Sequence, residues 1–147
     1  MRRASVSLFP IAAAIVLSLP PAAVRAADPG PSEAQKAAET SARSWLALVD
    51  AGKYGESWDE AAAPFRSALS REQWIQALEK VRRPLGKALS RKLRAAHEAT
   101  EIPNAPRGEY VVIQYDTDFA DRSGAVETIT PMKDPDGRWR VSGYYIK

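Results

Sequence analysis

Apolar residues recur with two different spacings along this chain. Between Ser32 and about Gly86 they repeat every three or four positions, which is typical of helices that bury one face. From about Glu109 onwards they alternate with polar residues, which is typical of strands that pack one side on a core. This order predicts an α+β domain in which about three N-terminal helices pack on an antiparallel sheet.

Two capping boxes mark where helices begin. Ser32 precedes Gln35, and Ser70 precedes Gln73, at the spacing that lets each side chain satisfy a free backbone N–H of the first helical turn. Gly52 is a natural end for the first of these helices. The apolar stripes of the two capped helices are Ala38, Ala42, Trp45 and Val49 in the first, and Trp74, Ala77, Leu78 and Val81 in the other.

A further apolar stripe with the same spacing lies between the capped helices. It consists of Trp58, Ala62, Phe65 and Leu69. Because Pro64 interrupts this stripe, we expect two short helical pieces or a kink there. Pro84 and Gly86 are expected to end the last helix.

The alternation in the second half predicts three strands joined by short turns. The first strand places Val111, Ile113, Tyr115 and Phe119 on one face. The run "GAVETITPM" is the second strand, and the tight turn "DPDG" leads to the third. On that last strand, alternation places Trp139, Val141 and Tyr145 on the core side.

The segment between the two halves can be interpreted in two ways. Leu85, Leu89 and Leu93 are spaced by four, and the neighbouring Ala, Lys, Arg and Glu favour a helix that extends to about Glu98. As a strand, the same segment has one face that is only partly apolar. Periodicity alone favours the helix.

The N-terminus has the three regions of a signal peptide. Arg2 and Arg3 precede the apolar run Val6–Leu19, and small residues follow up to Ala26. An apolar run of 14 residues is short for a membrane-spanning helix, which needs about 20. We therefore expect cleavage after Ala26, a periplasmic or secreted protein with no membrane span after cleavage, a short leader at 27–31 and a single domain at 32–147.

Cleavage changes the charge of the protein. The complete chain has 21 Lys and Arg against 18 Asp and Glu, but the mature chain loses three arginines and is balanced at 18 of each. The excess positive charge of the precursor is lost with the signal peptide, so it is no evidence for a nucleic-acid partner, and we predict none. The segment Lys80–Arg94 nevertheless carries seven basic residues and no acidic one, which is typical of a solvated face.

The residue types exclude several kinds of chemistry. The chain has no cysteine, so disulfides and thiolate metal sites are absent. His97 is the only histidine, and a lone histidine is more often structural than a metal ligand. We predict no metal site, no cofactor and no catalytic residue. The four tryptophans are in phase with apolar stripes, so they are expected in the core.

Several segments together resemble one bacterial exported family, the domain of unknown function 4019. These are "WLALVDAGKYGESWDEAAAPF", "QWIQALEKVRRPLGKALSRKL", "PNAPRGEYVVIQYDTDF", "AVETIT" and "DGRWRVSGYYI". Their order is also similar to that of the nuclear transport factor 2-like superfamily. That resemblance implies a cone-shaped fold with a curved four-stranded antiparallel sheet, in which residues 88–98 form a strand. It implies no catalytic residue.

With residues 88–98 as a strand, three polar side chains are expected on one face of the sheet. Arg91, Tyr115 and Glu127 would lie on successive strands and point towards the helices. Arg91 and Glu127 would then form an internal salt bridge, because an unpaired buried charge is costly. The alternative is that the three residues form the polar floor of a binding pocket.

Alternation also predicts an apolar patch on the outer face of the sheet, formed by Tyr110, Val112, Tyr144 and Ile146. Such a patch favours an interaction surface, for example in a homodimer. The sequence therefore predicts an exported, non-enzymatic binding or protein-interaction module. The alternative is a small hydrolase or isomerase that acts in a pocket between the helices and the sheet.

Overall fold

The computed structural model describes residues 29–147, so the predicted signal peptide and its cleavage site lie outside the described residues. The chain first forms four helices. They are α1 (Glu33–Asp50), α2 (Tyr54–Asp59), α3 (Ala63–Ala68) and α4 (Arg71–Val81). A single 3₁₀ turn, Arg83–Leu85, follows α4. Within residues 29–147, no helix has the length and apolarity needed to cross a membrane.

Both predicted capping boxes are confirmed. Ser32 accepts a hydrogen bond from the backbone N–H of Gln35, and the Gln35 side chain accepts one from the backbone N–H of Ser32. Ser70 and Gln73 form the same reciprocal pair at the start of α4. The side chains at these positions therefore define where α1 and α4 begin.

The middle stripe forms two short helices, as Pro64 indicated. The break lies between Asp59 and Ala63, so Pro64 occupies the first turn of α3. Proline is tolerated there because the first N–H groups of a helix have no partner within the helix.

The second half forms a four-stranded antiparallel sheet, which confirms the predicted α+β class. Its strands are β1 (Ala88–Ala99), β2 (Tyr110–Phe119), β3 (Arg122–Lys133) and β4 (Trp139–Ile146). They lie in the order β1-β2-β3-β4, and each neighbouring pair is antiparallel. The helices pack on one face of this sheet.

Strand β1 replaces the helix that periodicity favoured for residues 88–98. Gly86 has a φ of 75°, which ends the preceding helical segment. Leu89 and Leu93 are 66% and 47% exposed, so they do not continue a buried stripe. Their spacing by four was misleading because these leucines lie outside the core. The resemblance gave the right secondary structure.

Aromatic side chains fill the core between the helices and the sheet. The ring centroids of Trp45 and Tyr144 are 5.3 Å apart, and those of Phe65 and Trp74 are 4.9 Å apart. Ser57 satisfies both buried indoles: its carbonyl accepts from Trp45 Nε1 and its hydroxyl accepts from Trp74 Nε1. These bonds fix α1 and α4 against α2.

A β-bulge reverses the expected alternation within β4. Pro131 pairs with Val141 and Thr130 pairs with Gly143, so Ser142 is an extra residue on β4. Beyond this bulge, Tyr144 points towards the helices and Tyr145 points away from them with 52% exposure. The prediction that Tyr145 lies on the core side is therefore wrong.

The tryptophans differ in depth, and this difference predicts different losses of stability. Trp45 is 3% exposed, whereas Trp139 is only partly buried at the margin of the core. Trp45→Ala should lower the free energy of unfolding by about 3–5 kcal/mol, and Trp139→Ala by about 1–2 kcal/mol. Urea denaturation of the two variants measures both values. Equal losses would contradict this packing.

Candidate functional site

A cluster of charged and hydroxyl side chains lies beneath the helices. Arg91 on β1 donates from Nε to Oε1 of Glu127 on β3, at 2.7 Å. Glu127 is fully buried and the Arg91 side chain is 16% exposed. The sequence-predicted contact between these two residues is present. β2 lies between their strands, so the pair links β1 to β3 across the sheet.

Helix ends contribute two further charges to the cluster. Asp50, the last residue of α1, accepts bonds of 2.8 and 3.0 Å from the two terminal nitrogens of Arg91. Asp50 also accepts from Arg82 Nη2 at 3.0 Å, and Arg82 Nη1 donates to the carbonyl of Gly86. The Arg91 guanidinium therefore joins the helical layer to the sheet.

Both carboxylate oxygens of Glu127 have hydrogen-bond donors. Thr117 Oγ1 donates to Oε1 at 2.6 Å, and the hydroxyl of Tyr144 donates to Oε2 at 2.5 Å. Together with Arg91 Nε, three donors from three strands surround this buried carboxylate. An ionised group in this position is stable because its charge is compensated and its oxygens are satisfied.

The protonation states in the cluster support an ionised network. Burial opposes the charge of Asp50, but the hydrogen bonds and positive charges of Arg91 and Arg82 outweigh it and lower the pKa of Asp50. Burial likewise opposes the charge of Arg91, but Asp50 and Glu127 raise its pKa. Burial and the charge of Glu127 raise the pKa of Tyr144, so its hydroxyl stays protonated and remains a donor.

Tyr115 reaches the same face but does not join the network. It pairs with Glu127 in the register between β2 and β3 and is fully buried. Its hydroxyl has no hydrogen-bond partner within the described residues, while the guanidinium of Arg43 lies 5.6 Å from the centre of its ring. Burial is the main cause that raises the pKa of Tyr115. Its predicted place beside Glu127 is therefore correct, but the hydroxyl that bonds Glu127 belongs to Tyr144.

Two cluster residues that were not predicted from the sequence, Asp50 and Arg82, do have a signal in it. Asp50 comes four positions after the buried Leu46, and Arg82 comes four positions after the buried Leu78. Each therefore continues the buried face of its helix by one turn. Val81, which was expected to lie in the stripe of α4, is 53% exposed because Arg82 takes the inward position.

The predicted outer patch does not form as expected. Tyr110 is only 2% exposed, because it packs on Ala62 and Met132 and donates its hydroxyl to the carbonyl of Pro106. The connection between β1 and β2, residues 100–109, covers it. The alternating pattern could not predict this burial, because it indicates only the face of the sheet on which a residue lies.

The other members of the predicted patch separate onto two faces. Tyr144 pairs with Ile129 and Ile146 pairs with Glu127, which places both on the helix-facing side. Val112 remains on the outer face. Across that face, the paired residues Gln114, Thr128 and Tyr145 form an uncharged row. Tyr145 thus takes the position expected for Tyr144, because of the bulge at Ser142.

Several surface grooves are present on the described part of the domain. Two of them hold about 800 and 820 Å³; Asp50 and Arg82 line the first, and Trp45 and Trp139 line the second. The predicted floor residues, Arg91, Tyr115 and Glu127, line none of these grooves within residues 29–147. In the same part of the chain, no three histidine or carboxylate side chains are grouped to hold a metal ion.

Comparison with known families decides the relationship of the chain. The sequence model of the family described as "Protein of unknown function (DUF4019)" matches residues 41–144. The chain belongs to the DUF4019 family. No curated protein and no solved structure is significantly similar to it. The matched region of this DUF4019 protein includes all six residues of the polar cluster: Asp50, Arg82, Arg91, Thr117, Glu127 and Tyr144.

A double-mutant cycle tests whether Arg91 and Glu127 depend on each other. Arg91→Met should lower the free energy of unfolding by about 3–5 kcal/mol, because it leaves the buried Glu127 carboxylate without its cation. Adding Glu127→Leu should restore part of this loss, with a coupling above about 1 kcal/mol. Chemical denaturation of the wild type, both single variants and the double variant gives the coupling.

The neighbouring pair Arg94–Asp116 provides the matched control for this cycle. It also starts on β1, but it reaches only the neighbouring strand β2, and its side chains are 52% and 57% exposed. The cycle of Arg94→Met and Asp116→Leu should give a coupling below about 1 kcal/mol, as is usual for exposed ion pairs. Equal couplings at the two sites would contradict the buried, ionised network.

The lowered pKa of Asp50 predicts a loss of stability in acid. Its stabilising effect is complete above the ordinary aspartate pKa of 3.8 and disappears as the pH falls towards the lower folded-state pKa. Asp50→Asn should therefore be less stable than the wild type at pH 7 but lose less stability between about pH 5 and pH 3. Thermal unfolding across this range measures the difference; parallel curves would argue against an ionised Asp50.

Proposed function

We propose that this DUF4019 protein is an exported, non-enzymatic binding or protein-interaction module. The observation that carries the proposal is the saturation of Glu127, whose two oxygens accept from Arg91, Thr117 and Tyr144. A carboxylate bound in this way is a poor general base, because protonation would break its contacts with Arg91 and the two hydroxyl donors. The cluster therefore stabilises the packing of the strands and helices rather than serving as a reactive site.

Filled space around this cluster supports the same proposal over a hydrolase or isomerase. The volume between the helices and the sheet holds the tilted and edge-on pairs of Trp45, Trp74, Tyr144 and Phe65. A substrate that approached Glu127 from the helical side would have to displace these rings. The proposed activity therefore lies on the surface of the domain.

The outer face of the sheet is our proposed interaction surface, and its proposed occupant is a second copy of this chain. Tyr145 is 52% exposed there, with Val112 and Val126 on the same face. The row of Gln114, Thr128 and Tyr145 has no charge, so two copies related by a two-fold axis can meet without like charges facing each other. Of the residues in the predicted patch, Val112 belongs to this proposed surface, and Tyr145 is an addition to it.

Export and wider relationship are part of this proposal. The signal-peptide pattern in residues 1–26 supports a periplasmic or secreted location. The order of helices followed by a four-stranded antiparallel sheet supports membership of the nuclear transport factor 2-like superfamily. Neither relation carries an activity to this chain, since one fold supports many functions.

Sedimentation velocity of the mature protein tests the proposed dimer. We expect a dimer at micromolar concentration, and Tyr145→Lys should shift it to monomer because the substitution places two like charges in a buried interface. Val81→Lys is the matched control, since Val81 is 53% exposed on α4, away from the outer face. A wild-type monomer at high concentration, or equal effects of both variants, would refute the dimer.

A further inference from the structure

The helical part of the chain covers each edge of the sheet over part of its length. On β4, the backbone N–H of Ala62 donates to the carbonyl of Val141, and Ser41 Oγ donates to the carbonyl of Trp139. Helix α1 and the residue before α3 therefore occupy part of that edge. Strand β1 forms the opposite edge and has a neighbouring strand, β2, on one side only.

The free edge of β1 is limited to its first half. Towards its C-terminal end, Gln35 Nε2 donates to the carbonyl of Ala96, and Ser32 Oγ donates to Glu98. The start of α1 thus covers residues 96–98. Within the described residues, the edge from Ala88 to Arg94 has no such contact. Outward-pointing backbone groups of an edge strand are available to pair with another strand.

Side chains along this free edge combine exposed leucines with positive charge. Leu89 and Leu93 are 66% and 47% exposed, and Val81 nearby in sequence is also exposed. Lys92 is exposed and has no ion pair among the described residues. From Lys80 to Arg94 the sequence contains no acidic residue. Because Arg91 and Arg94 are already paired with carboxylates, Lys92 is the cation of this edge that can attract an acidic residue of a partner.

The alternation of β1 specifies the pattern of that partner. Leu93 pairs with Tyr115 and lies at the helix-facing side, whereas Lys92 pairs with Asp116 on the outer side. An added strand would therefore place apolar residues beside Leu93 and acidic residues beside Lys92. Because strand side chains alternate between faces, the matching segment alternates acidic and apolar residues.

We propose that the free edge of β1 from Ala88 to Arg94 binds an extended segment of a partner protein, with alternating acidic and apolar residues, as a fifth strand. This inference rests on the proposed function only in treating the domain as a binding module. It uses the edge of the sheet, whereas the proposed dimer uses its outer face. Backbone hydrogen bonds hold the segment and the two alternating faces select it.

A second copy of this chain does not fit the same edge. Residues 88–94 contain Arg91, Lys92 and Arg94 but no acidic residue. Arg91 and Arg94 are already paired with carboxylates, so self-pairing would bring together two Lys92 side chains with no acidic partner from the second copy. Lys92 thus disfavours self-association and leaves the edge open to acidic segments.

Two bulges limit the length of the segment. The register between β1 and β2 shifts between Ala88 and Ser90 and again between Leu93 and Ala95. Ser90–Leu93 is therefore the regular part of the free edge, with Leu89 and Arg94 as the extra residues beside it. A short partner strand fits this stretch, and a long regular strand would lose contact at the bulges.

Titration with a synthetic peptide tests the proposal. The probe is a peptide of about nine residues in which glutamate alternates with valine, added to the mature protein. We expect calorimetric binding and slower amide exchange confined to outward-pointing amides of residues 88–94. The same peptide with a central proline keeps its charge but cannot pair as a strand, so it should bind at least about fivefold more weakly.

Two charge reversals within the same basic segment separate strand pairing from simple attraction. Lys92→Glu should weaken binding about fivefold or more, because it faces the acidic side of the peptide. Lys80→Glu, on α4, makes the same change in net charge and should weaken binding less than about twofold. Equal losses, full binding of the proline peptide, or protection elsewhere would overturn the proposal.

The same samples distinguish this proposal from the proposed dimer. The Tyr145→Lys variant should still bind the peptide, because Tyr145 lies on β4, at the opposite edge of the sheet from β1. A dimer that ignores the peptide would refute only the β1 site. A monomer that binds it through residues 88–94 would refute only the dimer.

Discussion

The buried carboxylate of Glu127 constrains the other three strands of the sheet at once. A charge in that position is stable only if a cation and hydrogen-bond donors reach it, and these come from Arg91, Thr117 and Tyr144 on the other three strands. Arg91 in turn holds Asp50 at the end of α1. The register of the sheet and the position of the longest helix are therefore coupled through the guanidinium of Arg91. A shift of β1 by one residue would turn Arg91 outwards and leave Glu127 without its cation.

Local signals in the sequence predicted the parts of the structure that depend on neighbouring residues. The capping boxes at Ser32 and Ser70 gave the helix starts correctly, because each depends only on residues three positions apart. Alternation gave the inward face of β2 and placed Tyr115 beside Glu127. It failed in β4, where the bulge at Ser142 depends on pairing with β3 and has no signal in the alternation itself. Tyr110 shows a second limit, because its burial depends on how the connection 100–109 folds back over it.

The basic segment Lys80–Arg94 illustrates why charge along a sequence does not give charge on a surface. Arg82 and Arg91 point inwards and neutralise Asp50 and Glu127, while Arg94 pairs with Asp116. The segment thus supplies the cations of the core as well as those of the strand edge. Periodicity could not separate these roles, since Leu85, Leu89 and Leu93 suggested a helix in which the arginines would have lain on different faces.

The same ion pair also determines what the surface of the domain can present. Arg91 must point inwards to reach Glu127, so alternation along β1 directs Ser90 and Lys92 to the outer side of the sheet. The backbone of β1 is held in place at the edge of the sheet, because the Arg91 side chain is bound to both Asp50 and Glu127. The strand remains extended at the edge, with a free row of hydrogen-bonding groups. A stabilising contact inside the domain therefore maintains the geometry on which recognition at its edge would depend.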